Sequence, residues 1–145
     1  QGGYDSAFRE RKPAVYETVI DAGGLYRGVT FVGAEGGSLS GFTITGSTTG
    51  VANINGASPT VVGNTISGNK YYGVFNRDGS SPTISGNTIS SNGIAGIKNV
   101  QSSPLVSPNA TGALRAYPKT SGDWLILRSL RSKMCLSPSP QRVFG

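Results

Sequence analysis

Three aromatic residues near the middle of the chain are the strongest candidates for ligand binding. Tyr71, Tyr72 and Phe75 lie close together, and Arg77 and Asp78 follow them directly. An exposed aromatic ring combines a large apolar face with a rigid frame, which suits stacking on a sugar ring. We therefore interpret these five residues as the candidate binding site, with a polysaccharide as the ligand to be tested.

The sequence offers little for acid–base catalysis. Glycosidases need two carboxyl groups across the scissile bond, but Asp78 is the one acidic residue between residues 38 and 102. The sequence around Asp78 is typical of a turn, so we interpret Asp78 as a turn residue. The chain has no histidine and a single cysteine, Cys135, which excludes imidazole bases and metal sites built on paired cysteines. We expect no catalytic residue, no metal and no cofactor, and favour a protein that is not an enzyme.

These residues lie within an internal repeat. The segment SPTVVGNTISGNKYYGVFNRDGS (58–80) is followed by SPTISGNTISSNGIAGIKNVQS (81–102), and SLSGFTITGSTTGVAN (38–53) fits the same template one period earlier. A short period indicates a solenoid, in which each copy buries its apolar face against its neighbours. The brief alternating runs rich in Thr, Ile and Val, broken by Gly, Asn and Ser-Pro, predict strands rather than helices.

The units GFTITG (41–46), SPTVVGNTISGN (58–69) and SPTISGNTISSN (81–92) resemble the right-handed parallel β-helix repeats of pectin-lyase-like surface proteins. The resemblance implies an all-β solenoid of about four or five coils and an extracellular or cell-surface location. Lyases of this family use clustered acids for calcium together with a basic residue, a pattern that the repeats lack. The fold also hosts hydrolases, adhesins and scaffolds, so it does not by itself define a function.

Alignment of the repeats assigns side chains to the inside of the coil. Three aliphatic columns are predicted to point inward: Leu39/Val61/Ile84, Ile44/Ile66/Ile89 and Val51/Val74/Ile97. Two columns of asparagine are predicted to stack as amide ladders, namely Asn64 over Asn87 below Phe42, and Asn53, Asn76 and Asn99. A role of these amides in sugar binding is the alternative.

Residues next to the inward isoleucines must point outward. They form two predicted hydroxyl columns: Thr43, Thr45, Thr65, Ser67, Thr88 and Ser90. The columns resemble the T-x-T arrays of ice-binding β-solenoids, although two of the three copies read T-x-S. Ordinary β-propensity of threonine on a solvated face explains the same pattern.

We divide the chain into a lead-in or cap (1–17), the β-helix repeats (18–104) and a non-repeat basic tail (105–145). Within the tail, Trp124, Leu127, Leu130 and Met134 have helical spacing after Asp123, a suitable N-cap. The tail is predicted to cover the open end of the solenoid or to join two copies of the chain. The alternative is unrelated coding sequence attached to a truncated repeat protein.

Charge excludes one class of partner. The formal net charge is +6, but residues 1–102 carry seven Lys/Arg against six Asp/Glu, and 103–145 carry six against one. The repeats are thus nearly neutral, so we expect no nucleic acid partner. The apolar runs are also too short for a membrane span.

These expectations favour a non-enzymatic structural or adhesive module that forms a homo-oligomer. A carbohydrate-active enzyme or carbohydrate-binding module is the first alternative, and an ice-binding protein is the second.

Overall fold

A computed structural model describes residues 1–33 and 36–111, which form a parallel β-solenoid of about four coils. The predicted all-β fold is confirmed. The strands of the described residues are β1 (Val19–Asp21), β2 (Arg27–Val32), β3 (Ser38–Ser40), β4 (Thr43–Thr45), β5 (Thr49–Ile54), β6 (Thr60–Val62), β7 (Thr65–Ser67), β8 (Tyr72–Arg77), β9 (Thr83–Ser85), β10 (Thr88–Ser90), β11 (Ala95–Val100), β12 (Leu105–Val106) and β13 (Ala110–Thr111).

Each coil contributes one strand to each of three parallel sheets. The first sheet has the order β1-β4-β7-β10-β13, the second β2-β5-β8-β11 and the third β3-β6-β9-β12. The upper end of the solenoid is therefore the coil of β1, β2 and β3, and the lower end is the coil of β10, β11 and β12 together with β13. Equivalent residues of successive coils lie directly above one another.

The three predicted aliphatic columns form the core. Ile44 pairs in register with Ile66, which pairs with Ile89, and all three side chains are buried. The same stacking holds for the two other columns, Leu39/Val61/Ile84 and Val51/Val74/Ile97. Burial of each large aliphatic side chain stabilises the fold by roughly 1.5–3 kcal/mol.

Both predicted asparagine ladders are present. Asn53 Nδ2 donates to Asn76 Oδ1 at 2.7 Å, and Asn76 Nδ2 donates to Asn99 Oδ1 at 2.7 Å. In the other ladder Asn64 Nδ2 donates to Asn87 Oδ1 at 3.0 Å. That ladder continues to Asn109, because Asn87 Nδ2 donates to its Oδ1 at 2.9 Å.

A third ladder was missed by sequence reasoning. Ser47 Oγ donates to Asn69 Oδ1 at 2.6 Å, and Asn69 Nδ2 donates to Asn92 Oδ1 at 2.9 Å. It begins with a serine, so its first position does not match the asparagines below it. The three ladders leave few polar side chains inside the coil without a partner.

One buried amide oxygen has no hydrogen-bond partner within the described residues. It is Asn53 Oδ1, at the upper end of its ladder. The residue paired with Asn53 in the coil above is Phe31, which has no side-chain donor. The ladder therefore ends in an unsatisfied acceptor beneath an aromatic ring.

The repeats extend beyond the predicted limit of residue 104. Strand β12 pairs with β9, and β13 pairs with β10, both in the register of the preceding coils. The stacking of Asn109 beneath Asn87 belongs to the same pattern. The predicted helix at 123–134 and Cys135 lie outside the described residues.

Two residues of the segment 1–17, Gly2 and Arg11, contact β3 at the upper edge of the third sheet. Gly2 N donates to the carbonyl oxygen of Ser40 at 2.7 Å, so the edge of β3 is partly paired. Arg11 Nε donates to Gly2 O at 3.0 Å, and Arg11 Nη2 donates to Ser40 Oγ at 3.2 Å. This guanidinium fastens the lead-in to the first coil.

The register predicts opposite outcomes for two neighbouring substitutions. Ile66 is fully buried and Thr65 is exposed. Ile66→Asn removes an aliphatic contact and buries an amide without partners, which should cost at least about 3 kcal/mol. Thr65→Asn should stay within about 0.5 kcal/mol. Equal melting temperatures of the two variants, measured by circular dichroism, would contradict the register.

The hydrogen bonds of the first ladder predict a difference between two otherwise identical substitutions. Asn76→Leu leaves the Asn53 amide donor and the Asn99 acceptor unpaired, whereas Asn53→Leu leaves one acceptor unpaired and removes the unsatisfied Asn53 oxygen. We expect Asn76→Leu to be more destabilising by about 1–3 kcal/mol. Urea denaturation measures both values. A larger loss in Asn53→Leu is the opposite outcome and would refute this description of the ladder.

Candidate binding surface

The structure brings the three predicted aromatic residues together. The rings of Tyr72 and Phe75 are stacked, with centroids 5.4 Å apart and an interplanar angle of 19°. Tyr71 joins them at 6.3 Å from the Tyr72 ring, and its side chain is 39% exposed. We call Tyr71, Tyr72 and Phe75 the aromatic surface. Because Tyr72 and Phe75 belong to β8, which is paired on both sides, a rigid sheet supports this surface.

The predicted charged pair lies at the other end of β8. Arg77 Nε donates to Asp78 Oδ2 at 2.5 Å, so the two charges neutralise each other. Asp78 and Gly79 both have positive φ angles, 54° and 75°, in the turn after the strand. The geometry fits the predicted turn role of Asp78. The role of the pair in binding stays a prediction.

A cation lies beside the aromatic surface. Lys70 Nζ is 5.3 Å from the centroid of the Tyr71 ring, within the range of a cation–π interaction. Lys70 also borders a shallow groove of about 310 Å³. The groove follows the corner between the first and second sheets and is lined by Gly24, Gly46, Ser47, Thr48, Gly68, Asn69, Lys70, Ser91 and Gly93. Hydroxyl, amide and ammonium groups thus adjoin an exposed ring.

A fourth aromatic residue, Tyr26, belongs to the same corner and was missed by sequence reasoning. The register pairs Arg27 with Thr49 and Thr49 with Tyr72, so Tyr26 holds the position that Tyr71 holds two coils below. Tyr26 is 68% exposed, and Arg27 Cζ is 4.8 Å from its ring centroid. The two tyrosines are separated by two repeat periods in the sequence, and this separation could have predicted that they lie at the same corner.

The predicted hydroxyl columns lie on the first sheet. Thr43, Thr65 and Thr88 stack in register, and Ser67 stacks on Ser90. Thr45 precedes the second column and pairs with Asp21 above it. The hydroxyl of Thr43 is engaged, because its Oγ1 donates to Glu17 Oε1 at 2.8 Å. Ice binding by this array stays a prediction.

Two further observations concern residues 1–33 and 36–111 alone. They contain no group of three or more cysteine, aspartate or glutamate residues placed to hold a metal ion. They also contain no helix with the length and hydropathy that crossing a membrane requires.

The comparison with known families agrees with this architecture. A family model described as a right handed beta helix region matches residues 8–111, which is more than half of the chain. The chain therefore belongs to the right-handed β-helix family, and the pectin-lyase-like resemblance is consistent with this. No curated protein and no solved structure matches the chain.

Proposed function

We propose that this protein is a non-enzymatic structural and adhesive β-helix module of a secreted or cell-surface protein. The observation that carries the proposal is the aromatic surface of Tyr71, Tyr72 and Phe75 held on a rigid parallel sheet. Rings fixed in this way lose little conformational entropy when they contact a ligand. The surface is therefore suited to adhesion to a polysaccharide.

The interior of the solenoid supports a scaffold role. The side chains of the asparagine ladders are committed to one another, as in Asn53–Asn76 and Asn64–Asn87, and do not point to solvent. The sugar-binding alternative for these amides is thereby disfavoured. The residues available to contact a partner are the outward ones, such as Phe75.

The competing proposal is a polysaccharide lyase or hydrolase. We expect no cleavage of polygalacturonate or other acidic glycans, with or without calcium, since the described residues hold no cluster of acids and the sequence has no histidine. The purified chain is incubated with immobilised polysaccharide while released products are followed by reducing-end and ultraviolet assays. A commercial lyase serves as the positive control. Retention of the chain without product supports the adhesive module, and unsaturated products that absorb in the ultraviolet would overturn it.

The ends of the solenoid support self-association. The core residues Ile20, Val29 and Phe31 at the upper end, and Ile97 and Val106 at the lower end, are only partly buried. Val32 and Leu105, near the same ends, are 55% and 67% exposed. Within residues 1–33 and 36–111, β1 and β2 at the upper end and β11 and β12 at the lower end each pair with a strand on one side, and strands of this kind favour edge-to-edge contact. We therefore include homo-oligomer formation through the ends in the proposal.

A charge placed at either end should weaken this association. We expect the chain to form concentration-dependent oligomers in size-exclusion chromatography with light scattering. Val32→Lys and Leu105→Lys should shift it towards the monomer, because a lysine disfavours burial of the edge. Thr65→Lys, on the side of the solenoid, is the matched control and should leave the distribution unchanged. If all three variants behave like the unmodified chain, the ends are not the interface.

A further inference from the structure

Two tyrosines repeat along one corner of the solenoid, each accompanied by a cation. Tyr26 has Arg27 over its ring at 4.8 Å, and Tyr71 has Lys70 over its ring at 5.3 Å. Both tyrosines directly precede a strand of the second sheet, and the register places them at equivalent positions two coils apart. A tyrosine therefore occurs twice along a line parallel to the solenoid axis, with a cation that follows it at Tyr26 and precedes it at Tyr71.

The spacing of this line follows from the sheet. Hydrogen-bonded parallel strands are about 4.8 Å apart, so two coils separate the equivalent positions of Tyr26 and Tyr71 by about 9.6 Å. The residue between them is Thr48, whose Oγ1 donates to the carbonyl oxygen of Tyr26. This smaller side chain leaves the two rings as the prominent features of the corner.

We infer that this corner is a binding site for an extended, uncharged β-1,4-linked glycan that runs along the solenoid axis. Tyr26 and Tyr71 each contact one sugar ring, and a single sugar unit lies between these two rings. This inference rests on the proposed adhesive function and adds the ligand class, the second aromatic contact and the direction of the chain.

The geometry of a β-1,4-linked glycan matches this corner, where a tyrosine occurs at Tyr26 and again two coils below at Tyr71. In an extended β-1,4-linked chain every second sugar presents the same face, and the C–H groups of that face pack on an aromatic ring. An α-linked chain winds as a helix and does not keep alternate rings in line. The groove beside the tyrosines offers the ammonium of Lys70 as a donor to sugar hydroxyls. It also offers the Thr48 hydroxyl oxygen as an acceptor, because the hydrogen of that hydroxyl is donated to the carbonyl oxygen of Tyr26.

The positive charges beside the two tyrosines are compatible with an uncharged glycan. Arg27 and Lys70 lie over the tyrosine rings, an arrangement that holds each ring in place. Recognition then depends on ring stacking and on hydrogen bonds to hydroxyl groups. An acidic glycan would instead be drawn by the cations, and its binding would fall steeply with added salt.

The test uses the full chain with cellohexaose and chitohexaose in calorimetry, and with microcrystalline cellulose in depletion assays. Maltohexaose and oligogalacturonate are the comparison ligands. We expect binding to at least one β-1,4-linked ligand, little affected by salt, and a loss of about tenfold in Tyr26→Ala and in Tyr71→Ala. Tyr26→Phe and Tyr71→Phe should retain binding. Tyr16→Ala, a tyrosine of the lead-in, is the matched control.

A double variant tests the spacing itself. Tyr26→Thr combined with Thr48→Tyr keeps the composition but places the two rings on adjacent coils, and it should bind at least tenfold more weakly. Melting temperatures show whether the variants are folded, and Tyr26→Phe provides the folded comparison at that position. Unchanged affinity in the double variant, or preference for maltohexaose or oligogalacturonate, would overturn the inference.

The outcomes separate this inference from the proposed function. Retention on polysaccharide that does not depend on Tyr26 leaves the adhesive module standing and refutes the two-tyrosine site. Release of cleaved products refutes the non-enzymatic module, whatever the effect of Tyr26. Absence of binding to every glycan tested refutes both.

Discussion

Stacking of equivalent residues at one fixed spacing is the constraint on which the rest of the structure depends. Because the coils are about 4.8 Å apart, each inward side chain must fit the one above and the one below. Backbone positions are equally restricted: a Cβ at Gly73 would lie 2.7 Å from Gly96 O and 2.7 Å from Ile89 Cγ2. Gly50 meets the same obstacle one coil higher, from Gly73 O and Ile66 Cγ2. Where the chain turns into the second sheet, only glycine allows the coils to pack.

The amide ladders give this stack a direction. Every bond between two side-chain amides within them is donated to the coil below, so each ladder has an acceptor at its upper end. The same nitrogens of Asn64, Asn69 and Asn87 also donate to backbone carbonyl oxygens of the coil above. Different groups donate hydrogen bonds to these uppermost acceptors: the backbone N–H of Phe42 donates to Asn64 Oδ1, and the hydroxyl of Ser47 donates to Asn69 Oδ1. Above Asn53 there is only Phe31, and the acceptor stays unpaired. The upper coil is therefore chemically distinct from the interior.

The sequence was sufficient for the fold because the inward positions repeat in kind. Ile44, Ile66 and Ile89 are identical, so their register followed from alignment and was confirmed. The turns were harder, since Pro108 stands where the coil above has Gly86, and the coil that continues past Pro104 was missed for this reason. Tyr26 was missed because the first coil lacks the Ser-Pro and Gly-Asn pairs that identify the others. The proximity of the three central aromatics followed from their spacing, whereas ring geometry depends on tertiary packing that a sequence does not encode locally.

The same constraint explains where function resides in such a protein. Along the second sheet the inward residues Val51, Val74 and Ile97 hardly change, while their outward neighbours are Ala52, Phe75 and Lys98. The outward positions differ more than the inward ones, although Ala52 is itself buried in the structure and pairs with Phe75 in the next coil. Chemistry on the surface is consequently arranged in multiples of the coil spacing, and a partner with a matching repeat can contact several coils at once. In a rigid stack of short coils, outward residues that are one repeat apart in the sequence therefore lie one coil spacing apart on the surface.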